Sequence, residues 1–268
     1  MKIGFMQGRL VDTEKKNRIQ FFPEKKWKEE ILIAKKSNLK LMEWTINIEN
    51  IKKNPLYNPN ETKKLKKFLK KNKFKVQSVT CDFFMQKPFF KSENKVDHLN
   101  LLKKIIVNAQ KVGVNYFIIP LVDNSSIKNK KKEKELIQGM QKFSNLLYKN
   151  NRILFETDYK PEKVLPFIKK FDKKFGINYD TGNSASLNYN FADEKKYFMY
   201  VHNIHIKDRL KYGKTVRLGK GNWKPRLFFN FLRKIKYKKN MILQTARSSN
   251  NNHLEEILLN LSFIKRFI

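Results

Sequence analysis

Short apolar runs alternate with amphipathic stretches along the whole chain, eight of each. The runs are Ile3–Met6, Leu39–Glu43, Val76–Thr80, Tyr116–Pro120, Ile153–Glu156, Ile177–Asp180, Asn203–Ile206 and Met241–Thr245. Each is rich in β-branched or aromatic residues and lacks a polar face, as a strand covered on both sides in a parallel sheet requires. Helical periodicity fills the intervals. Pro23–Lys36 opens with proline in its first turn, and Asn60–Lys71 pairs a cap-like Asn with apolar Leu65, Phe68 and Leu69. Val96–Val112 sets Leu99, Leu102, Ile105, Ile106 and Ala109 on one face and stops at Gly113. Lys134–Asn150, Pro161–Phe171, Ala192–Tyr200, Pro225–Ile235 and Asn252–Phe267 follow, and Lys128–Lys134 reads as a solvated loop. Strand then helix, eight times without a break in composition, predicts an α/β fold of one domain over 1–268, a closed (β/α)8 TIM barrel. An open doubly wound sheet is the rival, but the turn after the first run, GFMQGRL, lacks the spacing G-x-G-x-x-G.

Composition narrows the function more than the fold. Hydrophobic residues make up 40% of the 268 positions, enough for a sizeable core. No stretch approaches the roughly 18 apolar residues of a membrane-spanning helix, and MKIGFMQGRL does not resemble a secretory signal. The single cysteine, Cys81, excludes an intrachain disulfide framework and a multi-cysteine zinc site. Together these lead us to expect a cytoplasmic protein that stays away from membranes. The net charge of +35 invites a nucleic-acid partner. Against it, only nine of the 59 basic residues are Arg, and Lys is spread over nearly every predicted helix, so no specific nucleic-acid partner is expected.

Candidate chemistry sits where the runs end, because a (β/α)8 barrel builds its active site at the carboxyl ends of its strands. Glu156, Asp180 and His205 close three successive runs in ILFE, INYD and NIHIKD. Two carboxylates and an imidazole suit one divalent ion such as Mn²⁺, Mg²⁺, Co²⁺ or Zn²⁺. Glu43 and Asn183 are candidates to hydrogen-bond substrate hydroxyls. Lys207, Arg217 and Arg247 are candidates for a substrate phosphate or carboxylate. Trp44, Phe83 and Phe84 are candidate pocket walls.

These segments, with the opening MKIGFMQGRL, LMEW, INYDTGNSAS, NIHIKDR and VRLGKGNW, resemble the xylose-isomerase-like (β/α)8 superfamily of sugar and sugar-phosphate isomerases and epimerases. The resemblance covers essentially the entire chain. It implies one divalent ion held by Glu156, Asp180 and His205, with a fourth ligand from the last strand. Relatives usually carry Glu there, and this chain has Gln244, which can offer an amide oxygen but cannot act as a base. It further implies a small-molecule carbohydrate substrate, isomerisation, epimerisation or dehydration with Glu156 as the base, and a homo-oligomer. A non-catalytic sugar-binding barrel and an abasic-site DNA endonuclease are the alternatives.

Overall fold

The computed structural model describes residues 1–13, 20–92 and 94–268. Eight parallel strands close on themselves: β1 (Lys2–Met6), β2 (Leu41–Thr45), β3 (Lys75–Thr80), β4 (Tyr116–Leu121), β5 (Arg152–Thr157), β6 (Phe175–Asp180), β7 (Val201–Ile206) and β8 (Asn240–Leu243). Their order around the barrel is that of the sequence, with β8 returning to β1. The single (β/α)8 barrel expected from the alternation is the fold. Among the described residues no helix is long and apolar enough to cross a membrane.

Two features of the ladder decide what faces inward. Between β6 and β7 the register shifts after Ile177, which pairs with Val201, so that Asn178 meets Asn203 and Asp180 meets His205. One extra residue on β7 is a bulge, and because strand side chains alternate, that insertion puts two polar pairs on the same inner face. His202 is the residue taken up in the bulge, and it packs at the amino-terminal end of the barrel against Gly176. Met6, Leu41 and Ile242 form a small apolar cluster of their own, with Ile242 paired to His205 in the ladder. Gly4 lets β1 and β2 approach there: a Cβ at Gly4 would lie 2.7 Å from the Leu41 carbonyl oxygen.

The helices differ from their expected bounds in instructive ways. Lys130–Gln141 is helical, capped by the Asn129 side chain on the Lys132 N–H, so most of the expected lysine-rich loop is helix. Lysine is a good helix former once a cap starts the turn. The same helix stops before Asn150 and gives way to a 3₁₀ turn at Ser144–Leu146. Ala192–Tyr200 divides into a short helix, Phe191–Glu194, and a 3₁₀ segment, Lys195–Tyr200. Two short helices, Asp82–Gln86 and Thr181–Leu187, and a hairpin of Asp208–Arg209 with Thr215–Val216 carry too little periodicity to read from sequence. All three lie at the carboxyl ends of strands, where they shape the mouth.

Close approach at Gly4 gives a direct test. Gly4→Ala is expected to lower unfolding free energy by roughly 1–3 kcal/mol, the usual cost of overpacking a rigid site. A denaturant midpoint unchanged from the parent chain would contradict the inferred β1–β2 contact.

Candidate metal centre

Glu156, Asp180 and His205 are inward residues at the carboxyl ends of β5, β6 and β7. One ligand-capable atom from each lies within 4.8 Å of the other two, and all three side chains are buried. His205 Nδ1 is 3.1 Å from Glu156 Oε2 and 4.0 Å from Asp180 Oδ2. Asp180 also starts the helix Thr181–Leu187: its Oδ1 accepts from the Gly182 and Asn183 N–H groups at 2.8 Å each. That cap turns Oδ2 toward the cluster.

Asparagines two residues earlier on the same strands support the acids. Asn178 Nδ2 donates to Glu156 Oε2 at 3.1 Å and lies 3.0 Å from His205 Nδ1. Asn183 Nδ2 donates to Glu156 Oε1 at 3.0 Å, and Arg209 in turn donates to Asn183 Oδ1 at 3.2 Å. Asn178, Asn203 and Arg209 escaped the sequence reading. Period-two alternation back from Asp180 and His205 is the signal that finds the two asparagines.

Glu43 lies beneath His205 with no exposed surface. Its Oε1 is 2.7 Å from His205 Nε2 and its Oε2 accepts from Asn203 Nδ2 at 3.0 Å. A carboxylate on Nε2 fixes the proton there and leaves Nδ1 facing the acids, the outer-shell arrangement that orients metal-binding imidazoles. Burial works against a charged ring, but Glu43 and then Glu156 outweigh it and push His205 up to about 10. For Asp180, burial also disfavours charge, yet Lys207 and His205 hold the carboxyl below its ordinary range. Lys207 Nζ stands 2.8 Å from Asp180 Oδ2, with the lysine stem laid over Gly182.

The remaining expected residues divide. Gln244 continues the pairing of β8 through its N–H to the Ile206 carbonyl at 3.0 Å, two positions beyond Ile242, the ladder partner of His205. Its Oε1 is buried with no hydrogen-bond partner among the described residues. Arg217 reaches away to the carboxylate of Glu256. Arg247 is held by the Gly8 and Val11 carbonyls, beside His253 and over the Phe21 ring. Both guanidinium groups are thus engaged outside the acid cluster. Trp44, Phe83 and Phe84 are buried in the shell between strands and helices, where Trp44 Nε1 donates to Asn54. Asp208, the residue after Lys207, accepts from the Gly219, Gly221 and Trp223 N–H groups at 2.9–3.0 Å and so folds VRLGKGNW against β7.

The donor set fits a divalent cation. Two carboxylates and an imidazole nitrogen converge, and just past the end of β8 the buried Gln244 amide oxygen has no partner among the described residues.

Known proteins share this architecture. The sequence model of the family described as xylose isomerase-like TIM barrel matches residues 31–267. The IolI protein with a binding zinc atom is 13% identical, covers 100% of this chain and 99% of its own, and superposes with a TM-score of 0.75. D-psicose 3-epimerase with D-tagatose from Clostridium cellulolyticum H10 is 12% identical, with a TM-score of 0.73 over 100% of this chain and 99% of that one. A xylose isomerase-like TIM barrel protein from Mycobacterium smegmatis in complex with magnesium is 12% identical, with a TM-score of 0.72 over 100% and 98%. At such identities the likeness is one of fold. No curated protein sequence matches the chain.

The geometry predicts a graded response to substitution. Asp180→Ala and His205→Ala are expected to abolish uptake of a divalent cation with the barrel still folded. Glu43→Gln, which leaves the ligands in place, is expected to weaken affinity about 10–100-fold, the range for outer-shell partners. Calorimetric titration with Mn²⁺ alongside circular dichroism measures both, and full affinity in Glu43→Gln would refute its role in holding His205.

Proposed function

Because the chain belongs to the xylose isomerase-like TIM-barrel family, we propose that it is a divalent-cation-dependent isomerase or epimerase of a sugar, sugar phosphate or related polyol. The observation that carries this reading is the buried convergence of Glu156, Asp180 and His205 at the barrel mouth. A cation held there supplies the charge that polarises a substrate carbonyl and its neighbouring hydroxyl, which lowers the barrier to removing the proton on the carbon between.

Glu156 is the proposed base. Asn178 and Asn183 hold its two oxygens from either side, so the carboxylate is oriented before substrate arrives. It takes the C–H proton, and returning that proton to the adjacent carbon, with a hydroxyl proton moving to the former carbonyl oxygen, interconverts an aldose and a ketose. Epimerisation needs a second group to deliver a proton to the opposite face. The amide of Gln244 has no such proton chemistry, which favours a one-base isomerisation. Asn183, Arg209 and Lys207 lie beside the acids, and the Lys207 side chain, partly exposed, suits an anionic substituent.

The second reading, a barrel that binds a sugar without turning it over, is favoured by one residue, the amide at 244. Solvent exchange separates the two. The protein, loaded with Mn²⁺ in D₂O, is expected to wash deuterium into one C–H position of its sugar. Glu156→Gln should slow that exchange about 10²–10⁴-fold. A chain that binds a full equivalent of metal yet exchanges no proton on any aldose, ketose or sugar phosphate offered would favour the binding barrel instead.

A further inference from the structure

A connected row of amides runs across the mouth from β8 to β3. Gln244 Nε2 donates to Gln20 Oε1 at 2.7 Å. Gln20 Nε2 donates to both oxygens of Asp82, at 2.9 and 2.8 Å. Asp82 Oδ1 also accepts from Thr80 Oγ1 at 3.0 Å. Gln20 comes from the segment between β1 and the first helix, and Asp82 begins the short helix after β3. The row therefore arches over β1 and β2, which lie between its two ends.

This row has a direction. It starts at Asp82, whose two oxygens accept from Gln20 Nε2 and Thr80 Oγ1, hydrogen bonds that oppose the burial which raises its carboxyl to about 7. Gln20 must turn its NH₂ toward Asp82, so its carbonyl faces Gln244. Gln244 must then give its own NH₂ to Gln20. Its Oε1 is left over at the far end, buried and without a partner among the described residues. A side-chain amide can be turned either way round, and here an acid on the far side of the mouth selects which way.

We infer that Asp82 and Gln20 are positioning residues that present the Gln244 oxygen as a neutral fourth ligand, and that the acid at 82 and the amide at 244 form a matched pair. This rests on the reading that Glu156, Asp180 and His205 hold a divalent cation. The pairing accounts for an amide at the position where relatives usually carry an acid. A carboxylate at 244 would accept from the Gln20 NH₂, and Asp82 would then lose the two hydrogen bonds it now accepts from that NH₂. The extra negative charge would draw the cation while the broken row opposed it.

A double-mutant cycle tests the pairing, with Mn²⁺ titrated by calorimetry into the parent chain, Asp82→Asn, Gln244→Glu and the double variant. Asp82→Asn is expected to weaken binding roughly tenfold, because an amide at 82 no longer dictates which way Gln20 turns. Gln244→Glu is expected to tighten binding far more in the Asp82→Asn background than in the parent, so that the double variant binds at least about tenfold tighter than the two single effects multiply to give. Single effects that multiply to within about twofold would overturn the inference. If Asp82→Asn does not fold, Gln20→Leu removes the row from a partly exposed loop and is read the same way: weakened binding supports the inference and unchanged binding overturns it. A parent chain that takes up no Mn²⁺ removes the site reading and this inference with it, an outcome distinct from tight parental binding without coupling.

Discussion

A carboxylate buried inside a barrel must be met by charge or by hydrogen bonds, or the fold does not tolerate it. This barrel buries Glu43, Glu156 and Asp180 close together, and one ring answers most of that demand. His205 touches Glu43 through Nε2 and Glu156 through Nδ1, with Asp180 just beyond. Asn183 and Asn203 occupy the Glu156 and Glu43 oxygens that the imidazole does not reach. The register shift between β6 and β7 is what allows this, since without the extra residue on β7 Asp180 would pair one position short of His205. Site and sheet are therefore a single problem: the bulge sets the ladder, the ladder sets the ring, and the ring makes the acids compatible with burial.

Much of this was legible from sequence, and the limits are physical. Eight apolar runs announce eight buried strands because a parallel barrel covers both faces of its sheet. Glu156, Asp180 and His205 stand out because a charged or ligating residue interrupts such a run only at its end. Glu43 stands at the end of the second run in the same way, and pattern alone does not tell a residue at the open mouth from one lying a layer deeper. Arg217 and Arg247 follow strand ends closely, but a long side chain chooses among several partners in space. Glu256 and the Gly8 and Val11 carbonyls are far from them in sequence. Gln20 and Asp82 were harder still, because their significance lies in a row of hydrogen bonds between three separate segments. The Thr181–Leu187 helix was hidden by its own cap, since Asp180 both begins that helix and ends a strand.

The ends of the barrel differ in sign. Acids collect at the carboxyl ends of the strands, whereas Arg152, His202 and Lys239 gather at the amino ends with Tyr116. Burial, then the neighbouring Lys239 and Arg152, pushes His202 down to about 3, and burial with Arg152 pushes Lys239 down to about 8. A chain with a net charge of +35 has little negative charge to place, and it concentrates three buried acids around one point. The surplus lysines lie mostly on exposed helix faces, where solvent screens them.

The ammonium of Lys207 on Asp180 has a consequence for the life of the protein. Small domains whose ligands have nothing else to neutralise them collapse when stripped by a chelator, because for them assembly and loading are one equilibrium. Here a tethered positive group already sits on the carboxylate oxygen nearest the cluster, and hydrophobic packing of eight strands supplies the cohesion. On the proposed reading, the barrel can thus fold first and take up a cation afterwards.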